Sequence, residues 1–183
     1  HRFALENNCE VSFPPIIASA ANAAEPHHQT NETSLARGFC VIDLGLKING
    51  YCSDLSRTIF IGEPNNEERT VYELVKKAQA ESAALVKPGI KASEIDLVCR
   101  QILGEKEKYF IHGLGHGVGT AVHEWPSISG VSYAVLDAGM IITIEPGIYE
   151  SGKYGIRIED DILVTENRAE VLNQATKELI TIT

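Results

Sequence analysis

The dipeptide Asn49-Gly50 lies between two runs rich in Val, Ile, Leu, Phe and Tyr, Phe39 to Ile48 and Tyr51 to Ile61. Asn-Gly accepts the two positive φ angles of a tight hairpin turn, so the runs are expected to pair antiparallel. With Asn49 and Gly50 at the centre of the turn, the numbers of facing residues add to 99, which sets Gly45 opposite Asp54 and Asp43 opposite Ser56. Asp43 and Asp54 then share one face as diagonal neighbours, about 7–8 Å apart at the backbone, close enough for their carboxylates to hold one ion. The other face, with Ile42, Leu44, Leu46, Ile48, Leu55 and Ile59, is expected to pack on helices.

The rest of the chain extends this hairpin into an α+β pattern. Residues 2–9 read as the end of a helix, stopped by Ser12-Phe13-Pro14-Pro15, because proline cannot donate to a helical ladder. An apolar stretch, Ile16 to Ala20, precedes a polar loop over 22–38 that carries Pro26-His27-His28. Asn65 with Glu68 marks a helix start, and Val71, Leu74, Val75, Ala78, Ser82 and Leu85 share one helical face until Lys87-Pro88-Gly89. Ser93-Glu94-Ile95-Asp96 opens a second helix with a capping-box pattern, striped by Ile95, Val98, Cys99 and Ile102. Residues 111–119 form a glycine-rich loop. Strands are expected at 141–144, 148–149 and 156–164, with a turn at Ser151-Gly152-Lys153.

A content of 44% apolar and 22% charged residues supports one core, and residues 1–183 are expected to form a single domain. A net charge of −9 without a basic cluster excludes nucleic acid as a partner. Apolar stretches such as Met140 to Ile144 fall far short of the roughly 18 residues of a membrane span. No signal peptide heads the chain, and a cytoplasmic location is expected. Cys9, Cys40, Cys52 and Cys99 form no C-x-x-C pair and read as reduced, mostly buried small hydrophobes.

Acids recur where strands should be apolar: Glu145 ends the run Met140 to Ile144, and Glu159 interrupts Ile156, Ile158, Ile162 and Val164. Taken singly, each could pair with Arg57 or Arg157 or face water. Together with Asp43, Asp54 and a histidine, they match the charge of two divalent cations. A donor set of oxygens plus one imidazole suits Mn, Co, Fe or Zn rather than a tetrahedral thiolate site. The loop His112-Gly-Leu-Gly-His116-Gly-Val-Gly119 fails the dinucleotide pattern, because a third glycine is missing at Val118 and at Thr120. Its glycines are expected to bend the backbone beside a ligand, leaving His116 or His112 to coordinate.

The chain resembles the pita-bread metallopeptidases, which include methionine aminopeptidase, aminopeptidase P and Xaa-Pro dipeptidase. The resemblance runs from Ile16 to the C-terminus and rests on Val41-Ile42-Asp43-Leu44-Gly45, Tyr51-Cys52-Ser53-Asp54-Leu55-Ser56-Arg57-Thr58, Gly115-His116-Gly117-Val118-Gly119, Thr143-Ile144-Glu145-Pro146-Gly147 and Arg157-Ile158-Glu159-Asp160. Separations of 11 between the aspartates, 29 from His116 to Glu145 and 14 from Glu145 to Glu159 are similar to the family's. The resemblance implies a curved antiparallel sheet covered by helices, with two divalent metal ions on the concave face, Mn or Co before Fe or Zn. It implies that Asp43 holds one ion, His116 and Glu145 hold the other, and Asp54 and Glu159 bridge both. A water or hydroxide between the ions would be the nucleophile, with Glu145 taking its proton. His123 resembles the histidine that stabilises the tetrahedral intermediate, and His27 the upstream histidine near the leaving group, with His28 the alternative. His27, His123 and Arg157 are the implied substrate contacts.

Gly155-Ile-Arg157-Ile-Glu159-Asp160 is closer to aminopeptidase P and prolidase than to methionine aminopeptidase, which implies short proline-containing peptides as substrates. The rivals are a methionine aminopeptidase and a non-catalytic relative that binds protein or peptide in its cleft. Trp125 reads equally well as a substrate neighbour and as an aromatic packed beside the site. Two related halves of helices and strands are expected, the first lacking its leading helices, with no separate N-terminal domain. An apolar face near Ile42, Leu44 and Ile59 is expected to be partly uncovered and to favour a homodimer or an upstream segment.

Overall fold

A computed structural model describes residues 1–183. The chain opens with α1 (Arg2–Glu6), β1 (Glu10–Val11), β2 (Ile16–Ser19) and a 3-10 turn, Ala20–Ala24. The expected helix over residues 2–9 is thus shorter, ending before Asn8, whose φ is +54°, and β1 intervenes ahead of the prolines. The hairpin follows as β3 (Gly38–Leu44), β4 (Leu46–Ile48), β5 (Tyr51–Cys52) and β6 (Leu55–Ile61).

The register is the one the turn dictates: Asp43 faces Ser56, Leu44 faces Leu55 and Ile48 faces Tyr51. Asn49 and Gly50 have φ values of +52° and +86°, the positive pair that the turn requires. The ladder kinks at Gly45, where a Cβ would lie 1.9 Å from the Ser53 carbonyl oxygen. There β4 and β5 leave to form a small sheet ordered β1-β4-β5, while β3 and β6 continue in a sheet ordered β14-β6-β3-β2, where β14 (Thr181–Ile182) runs parallel to β6.

Which face of the hairpin is covered differs from the expectation. The buried face carries Phe39, Val41 and Asp43 with Ser56, Thr58 and Phe60, while Ile42 and Ile59 are half-buried and Leu44 is 41% exposed. The polar Ser56 and Thr58 go inside because each has a partner there: Ser56 Oγ accepts from Arg157 Nε at 2.7 Å, and Thr58 Oγ1 donates to the Arg157 carbonyl at 2.8 Å.

Helix α2 (Asn66–Leu85) starts at an Asn65–Glu68 capping box with both reciprocal hydrogen bonds in place. Helix α3 (Ala92–Leu103) starts earlier than expected, with Lys91 at the N-cap, and the Ser93–Asp96 box does not form. Asp96 is instead fully buried and accepts from Arg100 Nε at 2.7 Å. Both helices cover a second sheet, ordered β13-β12-β9-β7-β8, built from β7 (Gly115–Gly117), β8 (Glu124–Ile128), β9 (Ile141–Ile144), β12 (Asp160–Val164) and β13 (Ala169–Val171). The hairpin β10 (Gly147–Glu150) and β11 (Tyr154–Arg157) falls between β9 and β12 in sequence, and its β11 lies against β3 in space. The core joins Val75, Ala78, Ile95 and Cys99 of the helices to Ile142, Ile144, Ile148, Ile156 and Ile162 of the strands.

Two further expectations change. The segment 156–164 is two strands rather than one, broken at Ile158-Glu159, because the Glu159 amide turns away to donate to Ser56 O of the other sheet at 3.1 Å. Part of the glycine-rich loop is the strand β7, and its glycines serve close packing: a Cβ on Gly115 would lie 2.0 Å from Thr143 O, and one on Gly117 2.3 Å from Trp125 O.

Candidate metal centre

A cavity of 1090 Å³ opens where the two sheets meet, and every sequence-derived site residue lines it. Asp43 comes from β3 and Asp54 from the kink before β6; His116 sits in β7, Glu145 just after β9 and Glu159 just before β12. One ligand atom each of Asp54, His116 and Glu159 lies within 4.8 Å of the others. Glu145 joins this group through His116, whose Nε2 is 3.3 Å from Glu145 Oε1 and 3.8 Å from Asp54 Oδ2. Asp43 is turned partly aside, with its Oδ2 accepting from Arg157 Nη2 at 2.6 Å.

Two observations test whether divalent cations fit. Asp43 Oδ1, Asp54 Oδ1 and Glu159 Oε2 are buried oxygens without a hydrogen-bond partner, and an unpaired buried carboxylate oxygen is costly. The His116 Nδ1 lies 3.1 Å from the Gly117 carbonyl. Burial lowers the imidazole, but the hydrogen bond and charge of Glu145 outweigh it and raise His116, so Nε2 between two carboxylates calls for a proton or a cation. The donors fit.

The electrostatics agree. Burial, then the charges of Asp43 and Glu145, push the Asp54 carboxyl up to about 8. Glu159 is raised well above the usual range, by burial first and then by Glu145, Asp54 and Asp43. Burial raises Asp43 as well, against the opposing pull of Arg157. Burial works the same way on Glu145, but the hydrogen bond from His116 and the charges of His112, His116 and Arg157 outweigh it and leave it below its ordinary value. Acids crowded so closely cannot all ionise without positive charge between them.

Arg157, an implied substrate contact, is 3% exposed on the cavity wall and gives four side-chain hydrogen bonds: besides Asp43 it donates to Ser56 Oγ, to Pro26 O at 3.1 Å and to Tyr149 Oη at 2.9 Å. Arg57 serves Asp160, at 2.7 Å, rather than a site acid. The ring of His123 stands edge-on to that of His116 with centroids 4.3 Å apart. His27 is exposed on the cavity wall, close enough for its charge to lower both His112 and His123, whereas His28 Nδ1 is held 2.8 Å from Glu25 Oε2. His112 does not join the acids, because its ring nitrogens meet Gly113 O at 2.7 Å and Tyr149 Oη at 2.9 Å. Trp125 is 67% exposed and packs against nothing that would make it a core aromatic.

Thr143, Tyr149 and Asp161 escaped the sequence reading. The doublet Asp160-Asp161 inside an apolar strand was a usable signal for Asp161, since period-2 alternation puts one of the two on the cavity side.

Two facing sheets, helices on the outer side of one, and acids with one histidine in the seam define the pita-bread class of metal-binding fold. The chain belongs to metallopeptidase family M24, whose profile matches residues 1–166. It is similar to the Xaa-Pro dipeptidase of Pyrococcus furiosus, 47% identical over 172 residues that make up 92% of this chain and 49% of that one. Among solved structures, a prolidase from Thermococcus sibiricus superposes with a TM-score of 0.91 at 44% identity, over 94% of this chain and 48% of the other. The X-Pro aminopeptidase of Thermotoga maritima gives a TM-score of 0.90 at 36% identity, over 94% and 50%. The chain spans about half the length of the relatives it matches. No helix is long and apolar enough to cross a membrane.

Proposed function

We propose that residues 1–183 form the catalytic domain of a peptidase that hydrolyses the Xaa-Pro bond of dipeptides or of short peptide N-termini. The observation that carries this reading is the convergence, in one cavity, of three buried unpaired carboxylate oxygens with His116 and Glu145. Asp43 and Asp54 from one sheet, with His116, Glu145 and Glu159 from the other, would hold two divalent cations, Asp54 and Glu159 bridging. The oxygen-rich set favours Mn or Co over Zn. Such ions supply an attacking water of lowered pKa and polarise the scissile carbonyl.

The protein's own groups do the rest. Glu145, held ionised by its neighbours, accepts the proton of the attacking water and returns it to the proline nitrogen as the C–N bond breaks. His123, lowered by burial and by His116, is neutral near pH 7 and donates its N–H to the carbonyl oxygen as charge builds there. His27 faces the same space and meets the leaving residue, whereas His28, also on the cavity wall, has its Nδ1 taken by Glu25. Arg157 holds Asp43 in place from the cavity wall.

The test is hydrolysis of Ala-Pro against Met-Ala by chelated protein before and after addition of Mn²⁺. Cleavage of Ala-Pro that disappears on chelation and returns with Mn²⁺ is expected. Metal-restored cleavage of Met-Ala alone would transfer the protein to the methionine aminopeptidase reading, and chelator-resistant cleavage would refute the metal mechanism.

A further inference from the structure

Directly behind the acids, Thr143 of β9 and Asp161 of β12 face each other as cross-strand partners. Both are buried, at 0% and 4% exposure. Thr143 Oγ1 accepts from the His116 amide at 3.0 Å and donates to Glu145 Oε1 at 3.2 Å. A hydroxyl has one proton to give and lone pairs to receive with, so a single threonine fixes the strand that carries His116 and the carboxylate of Glu145 together. Asp161 Oδ2 accepts from the Asp54 amide at 3.0 Å, which ties Asp54, on the first sheet, to a strand of the second. Asp161 is itself pinned, its amide donating to Asn173 Oδ1 at 2.5 Å and its carbonyl accepting from the Leu172 amide at 2.9 Å.

We propose that Thr143 and Asp161 are positioning residues for the metal centre, setting between them the placement of His116, Glu145 and Asp54. The inference rests on the metal reading given under Proposed function. Each acts through the group it holds: Thr143 through Glu145 Oε1, the oxygen that also faces His116 Nε2, and Asp161 through the Asp54 amide. Alternatives of the same shape separate hydrogen bonding from packing. Valine keeps the volume of Thr143 without the hydroxyl, and serine keeps the hydroxyl without the methyl. Asparagine at 161 keeps an acceptor for the Asp54 amide, and alanine does not.

The test is Mn²⁺ binding by calorimetry, with the visible absorption of the Co²⁺-loaded protein as a probe of ligand geometry and the thermal midpoint of each chelated variant as a check of folding. Thr143→Val and Asp161→Ala are expected to weaken Mn²⁺ binding roughly 10- to 100-fold, the usual effect of removing a group that orients a ligand, and to alter the Co²⁺ bands. Thr143→Ser and Asp161→Asn should stay within about threefold of the parent, as expected where an orienting hydrogen bond survives. Folded Thr143→Val and Asp161→Ala proteins with parental affinity and unchanged bands overturn the proposal while leaving the metal reading intact. A parent chain that takes up no Mn²⁺ overturns the metal reading first, and this one with it. If Thr143→Val does not fold, the Asp161→Ala and Asp161→Asn pair decides.

Discussion

Replacing Arg157 by Met removes a buried cation and keeps most of its volume, so the change isolates electrostatics from packing. The guanidinium is 3% exposed and gives four side-chain hydrogen bonds, to Asp43, Ser56, Tyr149 and Pro26. Its loss leaves Asp43 Oδ2 as unpaired as Oδ1 already is. Breaking a buried pair by removing one partner costs about 3–5 kcal/mol, because the surviving charge stays desolvated. In a chain of this size that corresponds to a fall in thermal midpoint of roughly 6–20 °C. The second variant, Arg157→Met with Asp43→Asn, removes the stranded charge and should recover about 1–3 kcal/mol, the coupling expected for residues in direct contact. Urea unfolding of the parent, both single variants and the double variant, all in chelator, completes the cycle. Adding Mn²⁺ should narrow the gap between parent and Arg157→Met, since a cation at Asp43 replaces the missing charge. A single variant within 1 kcal/mol of the parent, or a double variant whose effect is the plain sum of the singles, would refute the argument that Arg157 is present for Asp43.

Asp54→Ala and Glu159→Ala are each expected to abolish hydrolysis and lose both metals, whereas Asp43→Ala should empty mainly one site; elemental analysis of each variant checks the bridging assignment. His123→Ala should lower kcat at unchanged metal content, and loss of metal would instead make His123 a ligand. The raised carboxyls of Asp54 and Glu159 keep protons in the folded state that the unfolded chain releases. Chelated protein should therefore lose stability as pH rises from about 7 to 8, once the ordinary histidine range near 6.5, in which the lowered His112 and His123 act with the opposite sign, is passed; a flat or rising urea midpoint would contradict it. Gly115→Ala places a Cβ 2.0 Å from Thr143 O, so β7 must move from β9 and Mn²⁺ affinity should fall with stability, as calorimetry and thermal melts would record.

The hairpin register was legible because a two-residue turn leaves no freedom: Asn49-Gly50 alone aligns Asp43 with Ser56. The covered face was not legible, since both faces of β3 and β6 carry large apolar residues, and the polar Ser56 and Thr58 go inside only because Arg157, a hundred residues on, completes their hydrogen bonds. Asn65 and Glu68 form their cap, while the same local pattern at Ser93 and Asp96 is overridden by a long-range demand, the pairing of Asp96 with Arg100 and the loop beyond it. The break at Glu159 has no local signal, because Ile156 to Val164 is a continuous strand-like run and the interruption is imposed by Ser56 O from the other sheet. The acids stood out because charge in an apolar strand is anomalous, whereas His116 was separated from His112 only by the family resemblance. Thr143 did not, because a threonine in a strand is ordinary.

The Glu159 peptide joins the two sheets in both directions, its amide donating to Ser56 O at 3.1 Å and its carbonyl accepting from Arg57 Nη1. Asp54, reaching back to Asp161 at 3.0 Å, adds a second stitch a few residues away. A seam sewn at the main chain cannot gape to admit a peptide without tearing hydrogen bonds in the centre of the molecule. Entry and exit therefore belong to the cavity's other wall, where the loop carrying His27 is moored by side chains: Thr30 Oγ1 accepts from the Ile17 amide at 2.7 Å and donates to Pro15 O at 2.9 Å, Ser19 Oγ accepts from the Ala36 amide at 3.0 Å, and Arg157 Nη1 donates to Pro26 O at 3.1 Å. In hydrogen exchange, the amides of Asp54 and Glu159 should open only with global unfolding, while those from Pro26 to Arg37 exchange through small local excursions. The floor of the cavity keeps time with the whole fold, and its rim with a few side-chain hydrogen bonds.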